Sequence, residues 1–149
     1  MNYYKLSCIN DSKEGKKVEI ELLNQLNTIY NNKFKPCPNK FDLFDITNKK
    51  ESKYIELKSR KNNKNEYPTT IVGTNKIIKS KEYKNKNINT YYMFKFHDDE
   101  NIYYIKYRPK IFDTFETKMI LRKDRGIYKK HTLIPIRLLK VLNTINLSI

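Results

Sequence analysis

Residues 41–60, FDLFDITNKKESKYIELKSR, constrain the fold more than any other stretch of the chain. FDLFDI and KYIELKSR each alternate apolar and polar side chains, and TNKKES between them is turn chemistry. Period-2 alternation on both sides of a polar turn predicts a β-hairpin, residues 41–46 and 53–60. On the second strand Ile55 and Leu57 face one way, and Glu56 and Lys58 the other. With the turn centred near Lys49, Asp42 falls opposite Glu56, at a Cβ separation of roughly 4.5–5.5 Å. Two carboxylates and an ammonium then share one strand face. Close carboxylates repel unless a cation lies between them. A hard divalent cation such as Mg²⁺ takes oxygen ligands of this kind. Asp45 is the rival for the place opposite Glu56 and requires a hairpin register of the other parity.

Residues 12–31, SKEGKKVEIELLNQLNTIYN, predict a helix, with Val18, Leu22, Leu26 and Ile29 at helical spacing and Ser12 as its N-cap. At about 100° per residue, Glu19 falls within the arc formed by Val18, Leu22, Leu23, Leu26, Ile29 and Tyr30, whereas Glu21 falls on the opposite, polar side. An ionised carboxylate turned toward a core is costly unless it is paired or metal-bound. Glu19 is therefore the anomalous acid of this helix and Glu21 the ordinary one.

The remaining segments are less regular. NNKFKPCPNK, with its two prolines, predicts a loop, and TTIVGTNKIIKSKEY a second helix weakened by Gly73. NTYYMFKFHDDENIYYIKYRP predicts a second hairpin that turns at HDDEN, so the acids of that stretch belong to a polar tip and its tyrosines to sheet packing. Further on, a mobile basic connection through RKDRG, a short strand near 131–134 and a helix from Pro135 are expected, the last with Leu138, Leu142 and Ile145 on one face. With no internal repeat and no linker, residues 1–149 form one α/β domain on this reading.

Charge narrows the partners. Lys and Arg total 31 against 16 Asp and Glu, a net charge of +15 spread along the whole chain. A basic field over a small domain attracts polyanions, and nucleic acid is the default. No amphipathic segment with a basic polar face and no long apolar run points to a membrane. Cys8 and Cys37 are the only cysteines, and with two scattered histidines they make no zinc site. The expectation is a soluble, intracellular, reduced protein, in which His97 and His131 are structural or exposed. The frequent Lys, Asn and Ile have AT-rich codons, which leans toward a virus, a phage or an AT-rich host.

GKKVE (Gly15 to Glu19), then Phe41 and Asp42, then YIELKSR together resemble the PD-(D/E)xK nuclease superfamily, over roughly residues 12–80. The resemblance implies a restriction-endonuclease-like αβββαβ core, a central mixed sheet flanked by helices. It makes Asp42 the first acid, Glu56 and Lys58 the E-x-K, and Glu19 the helix acid, with Glu19, Asp42 and Glu56 as metal ligands. Pro38 does not adjoin Asp42, so the "PD" is not literal. The implied chemistry is Mg²⁺-dependent hydrolysis of DNA, with Mn²⁺ as a substitute, by an endonuclease of viral or phage type. Lys58 would hold the attacking water or stabilise transition-state charge. Arg60, Tyr67, Thr70 and Lys76 are the candidate phosphate contacts, Thr70 through a hydroxyl near a helix start. So short a chain has little room for a separate specificity domain, and a homodimer would bring two sites to two strands. The competing reading is a non-catalytic basic nucleic-acid-binding protein, or a degenerate nuclease fold. The acids discriminate, because carboxylates without a metal repel phosphate.

Overall fold

The computed structural model describes residues 3–31, 33–38, 43–122 and 125–143, with side chains described from residue 13 onward. Helix α1, Tyr3–Ile29, contains the expected amphipathic segment. A meander of three antiparallel strands follows: β1, Lys35–Pro36; β2, Ile46–Asn48; and β3, Lys53–Ser59. Helix α2, Thr74–Asn85, then carries the chain to β5, Asn89–Lys95, which runs parallel to β3. A parallel pair needs such a crossover. β6, Ile102–Lys106, returns antiparallel to β5, and β9, Lys140–Val141, closes the far edge. The sheet order is β1-β2-β3-β5-β6-β9. This is a mixed sheet with the expected αβββαβ order.

β4, Thr69–Gly73, lies between β3 and α2 in the chain but pairs elsewhere. It joins β8, Ile127–Pro135, and β7, Thr117–Arg122, in a second, antiparallel sheet of order β4-β8-β7. A short helix α3, Pro109–Phe112, links β6 to β7. Among the described residues no helix is long and apolar enough to cross a membrane.

Alternation on the central strands sends side chains to two cores. Ile55, Leu57, Tyr91 and Met93 meet Val18, Leu22 and Leu26 of α1. On the other face Tyr92, Phe94 and Phe96 pack with Val72 and Ile134 of the second sheet, and Ile77 and Tyr83 of α2 lie against them. The tyrosine-rich second hairpin is thus largely packing: Tyr91, Tyr92, Tyr103, Tyr104 and Tyr107 are all buried. At its tip Asp99 accepts the Tyr103 hydroxyl and the Asn101 N–H.

Several local expectations are corrected. α1 begins well before Ser12, so Ser12 does not cap it. The first hairpin turns through Lys49–Ser52, with Ser52 at φ 56°, rather than through all of TNKKES. Thr47 and Asn48 remain in β2, because Thr47 Oγ1 donates to the Lys53 carbonyl at 3.0 Å and Asn48 Oδ1 accepts the Glu51 N–H at 3.2 Å. Thr69–Gly73 is strand, not helix: Thr, Thr, Ile and Val are β-branched and favour an extended chain, and α2 starts after Gly73. Where a basic connection was expected, Arg122 pairs with Ile127 at the far end of the β7–β8 hairpin; residues 123 and 124 lie outside the described residues. From Pro135 the chain makes one 3-10 turn, Ile136–Leu138, and then β9, not an α-helix. Leu138 and Leu142 pack against different cores, so they do not share a helical face. Ile145 lies outside the described residues.

Candidate active site

The hairpin register decides which acid meets Glu56. β2 and β3 pair Ile46 with Ile55, Thr47 with Tyr54 and Asn48 with Lys53. The next position beyond this ladder is Asp45, which requires the register of the other parity. Its N–H donates to the Ile55 carbonyl at 3.0 Å, and its Oδ2 accepts the Leu57 N–H at 2.9 Å. Asp45 therefore engages the backbone on both sides of Glu56. Asp42, expected at this place, lies outside the described residues.

Glu56 is only 2% exposed, on the face of β3 that looks toward α2. Lys58 Nζ is 2.9 Å from its Oε1, and Lys76 Nζ, from the first turns of α2, is 3.0 Å from its Oε2. Lys76 also donates to the Leu43 carbonyl, which ties α2 to the segment leading into Asp45. Period-2 geometry puts Glu56 and Lys58 side by side. Lys76 arrives through the parallel crossover.

Asp45 shows what this crowding does. Burial, reinforced by the charge of Glu56 and then of Glu19, pushes its carboxyl up to about 6, against the pull of the Leu57 N–H and Lys76. Glu19 is also raised, by burial first and by Glu56, while Lys16 opposes. Glu19 is half-buried between Val18 and Leu22, and Glu21 is exposed, as the helical arc implies. The three acids sense one another, yet among the described residues no three His, Cys, Asp or Glu side chains form a metal-binding group. Glu19 belongs to the helix on the other face of the sheet, and Asp45 and Glu56 form the close pair. The second oxygen of Asp45 makes no hydrogen bond among the described residues. Crowded, hard oxygen donors of this kind fit a hard divalent cation, which would relieve their repulsion.

The remaining expected contacts are dispersed. Arg60 is half-buried, donates to the Ile71 carbonyl and lies 6.0 Å from the Phe94 ring centroid. Burial lowers its pKa, opposed by Glu56, and its Nε has no hydrogen-bond partner among the described residues. Tyr67 is exposed in the loop before β4. Thr70 is buried in β4, opposite Ile134, far along the strand from the start of α2, so its hydroxyl is not presented at a helix end. Lys76 is on α2 as expected, but committed to Glu56.

Beside Glu56 a cavity of about 150 Å³ brings Lys58, Arg60 and Lys76 together with Arg122, Lys129 and His131. Lys129 and His131 were not anticipated as site residues, and Arg122 was anticipated only as part of a basic connection, solvated or touching a DNA backbone. A signal for them existed: TKMILR and IYKKHTLIP flank a short polar stretch ending in Gly126, which adopts φ +62° at the turn.

A family model described as "Phage putative PDDEXK endonuclease" matches residues 9–139 of this chain. No curated protein and no solved structure matches it.

Proposed function

The chain belongs to the phage PDDEXK endonuclease family, and from this we propose that it hydrolyses DNA phosphodiester bonds with a divalent cation, Mg²⁺ or in its place Mn²⁺. The observation that carries the reading is half-buried Asp45, bonded to the backbone on both sides of buried Glu56, with Lys58 beside Glu56. Asp45 and Glu56 are the residues that would hold the cation, and Glu19 would bias the site toward positive charge from the next layer. When bound, the cation would polarise the phosphate and lower the pKa of a water.

The chain's own groups have distinct tasks on this reading. Lys76 bridges Glu56 and the Leu43 carbonyl and so holds the carboxylate in one orientation. Lys58 has one carboxylate oxygen as partner and is partly exposed, so its amine can turn to a water or to charge growing on the phosphate. Ile55 and Leu57, anchored against α1, keep the strand rigid under both.

The test is cleavage of plasmid and linear DNA with Mg²⁺, Mn²⁺ or excess EDTA. Cleavage with either cation and none in EDTA is the expected result. Full activity in EDTA would sink the metal mechanism. Salt-sensitive DNA binding with no cleavage under any cation would favour a non-catalytic binder.

A further inference from the structure

The cavity beside Glu56 lies between β3, the β4–α2 junction and the β7–β8 hairpin. Six of its wall residues are Lys, Arg or His, and none of its described residues is an acid. At ~30 Å³ per water in the liquid, its volume of about 150 Å³ holds roughly five waters. Two of the lysines, Lys58 and Lys76, have Glu56 as partner.

Lys129 is different. Among the described residues no carboxylate pairs with it, and it sits among Arg122, Lys76, Lys58 and Arg125, whose charges add to burial in lowering its pKa. The fold holds it there. β8 pairs His131 with Gly73, and Lys129 lies on the same strand face, just beyond the end of β4. Gly73 has no side chain, and a Cβ there would lie 3.4 Å from the Lys129 amine and 2.6 Å from Asn75 Oδ1. The missing side chain leaves the amine room to lean over the β4–α2 junction. Cations gathered on rigid strands repel one another in the free protein, and a bound anion removes that repulsion.

We propose that this cavity is a phosphodiester-binding pocket, in which Lys129 grips a backbone phosphate of the nucleic acid next to the bond presented to Glu56 and Lys58. That its occupant is a DNA phosphate depends on the nuclease reading of the neighbouring centre. Arg122 and His131 line the same wall, so the β7–β8 hairpin acts as a positioning arm for the substrate.

The experiment uses the full chain and a short fluorescein-labelled DNA duplex, with anisotropy read in EDTA so that no strand is cut. Lys129→Met is compared with Lys130→Met, an exposed lysine on the opposite face of the same strand. Lys129→Met is expected to weaken binding about tenfold and to lower the salt slope by about one. Lys130→Met should do much less. In the free protein Lys129→Met should raise the melting temperature, since it removes repulsion, and should abolish the stabilisation that inorganic phosphate gives the wild type. Equal losses in the two variants, or an unchanged salt slope for Lys129→Met, would overturn the pocket. Lys129-dependent binding without any cleavage would keep the pocket and remove the nuclease reading. Wild-type binding by Lys129→Met in a protein that cleaves DNA would do the reverse.

Discussion

The β2–β3 hairpin carries two glutamates, and each is gripped by two lysines. Glu51, at the turn, meets Lys33 at 3.0 Å and Lys53 at 2.6 Å. Glu56, further along β3, meets Lys58 at 2.9 Å and Lys76 at 3.0 Å. The pairs match in distance and differ in surroundings. The Glu51 side chain is 33% exposed, and hydrogen bonds from its lysines lower its pKa to about 2. Glu56 is buried, with Asp45 pressed beside it and Glu19 adding charge from α1. Two lysines settle a single acid at the turn, whereas at Glu56 the same two contacts leave a second carboxyl, Asp45, with a raised pKa and no ion pair among the described residues. The crowding of two acids, and not ion pairing as such, distinguishes this place from the surface clasp.

The sharpest way to break this comparison is to make the same change at both acids. Glu56→Gln should lower DNA cleavage by about 10³-fold or more, because several kcal/mol of charge stabilisation go with the cation site. Glu51→Gln should leave cleavage near wild type. Comparable losses in single-turnover rates would erase the distinction.

Asp45→Asn should cost about 10²- to 10³-fold in rate, and more than Asp42→Asn. The asparagine keeps an acceptor for the Leu57 N–H, so the loss reports charge and not folding. The folded-state pKa of Asp45, about 6, lies above its ordinary value of 3.8, so the folded protein binds this proton more tightly than the unfolded chain. Raising the pH from about 4 to 6 therefore lowers stability through this group, and the loss is complete above pH 6. Without metal, Asp45→Asn should melt higher than wild type at pH 8, and a divalent cation should stabilise only the wild type. Cleavage at low Mg²⁺ should fall on the acid side, and raising Mg²⁺ should move that limb to lower pH, because the cation and the Asp45 proton compete. A variant that melts lower than wild type at pH 8 would contradict the charge-repulsion account.

Smaller effects are expected on α1. Glu19→Gln should reduce cleavage about tenfold, about 1.4 kcal/mol in the barrier, whereas Glu21→Gln should not change it. Equal rates for the two variants would remove Glu19 from the site. The least effect belongs to stability at the turn, where Glu51→Gln should lower unfolding free energy by about 1 kcal/mol in urea titrations. A loss several times larger would mean that the turn clasp supports the fold.

Much of the centre was legible along the chain. Glu56 and Lys58 share a face because strand geometry repeats every two residues, and Glu19 differs from Glu21 because helix geometry repeats every 3.6. Both periods are local. Thr70 and Lys129 were not legible in this way. Thr69–Gly73 reads equally well as the start of a helix until β8 pairs with it, and the basic run before His131 reads as a loop until β7 does. Thr47 and Asn48 look like turn residues, and only their bonds to Lys53 and Glu51 keep them in β2.

The amino-acid sequence by itself determined the amphipathic segment of α1, the inward set of β3 and the face on which its acid and lysine stand, since each follows from side-chain periodicity within one element; the αβββαβ order was what the resemblance implied, and β1 lies where NNKFKPCPNK was expected to be a loop. Tertiary structure decided that Asp45 stands beside Glu56, because register depends on where a turn closes and which side chains bridge it. It also decided that Lys76 and Lys129, on other elements, converge on the same strand. Proximity between distant segments is a property of the packed chain, and no period within one segment encodes it.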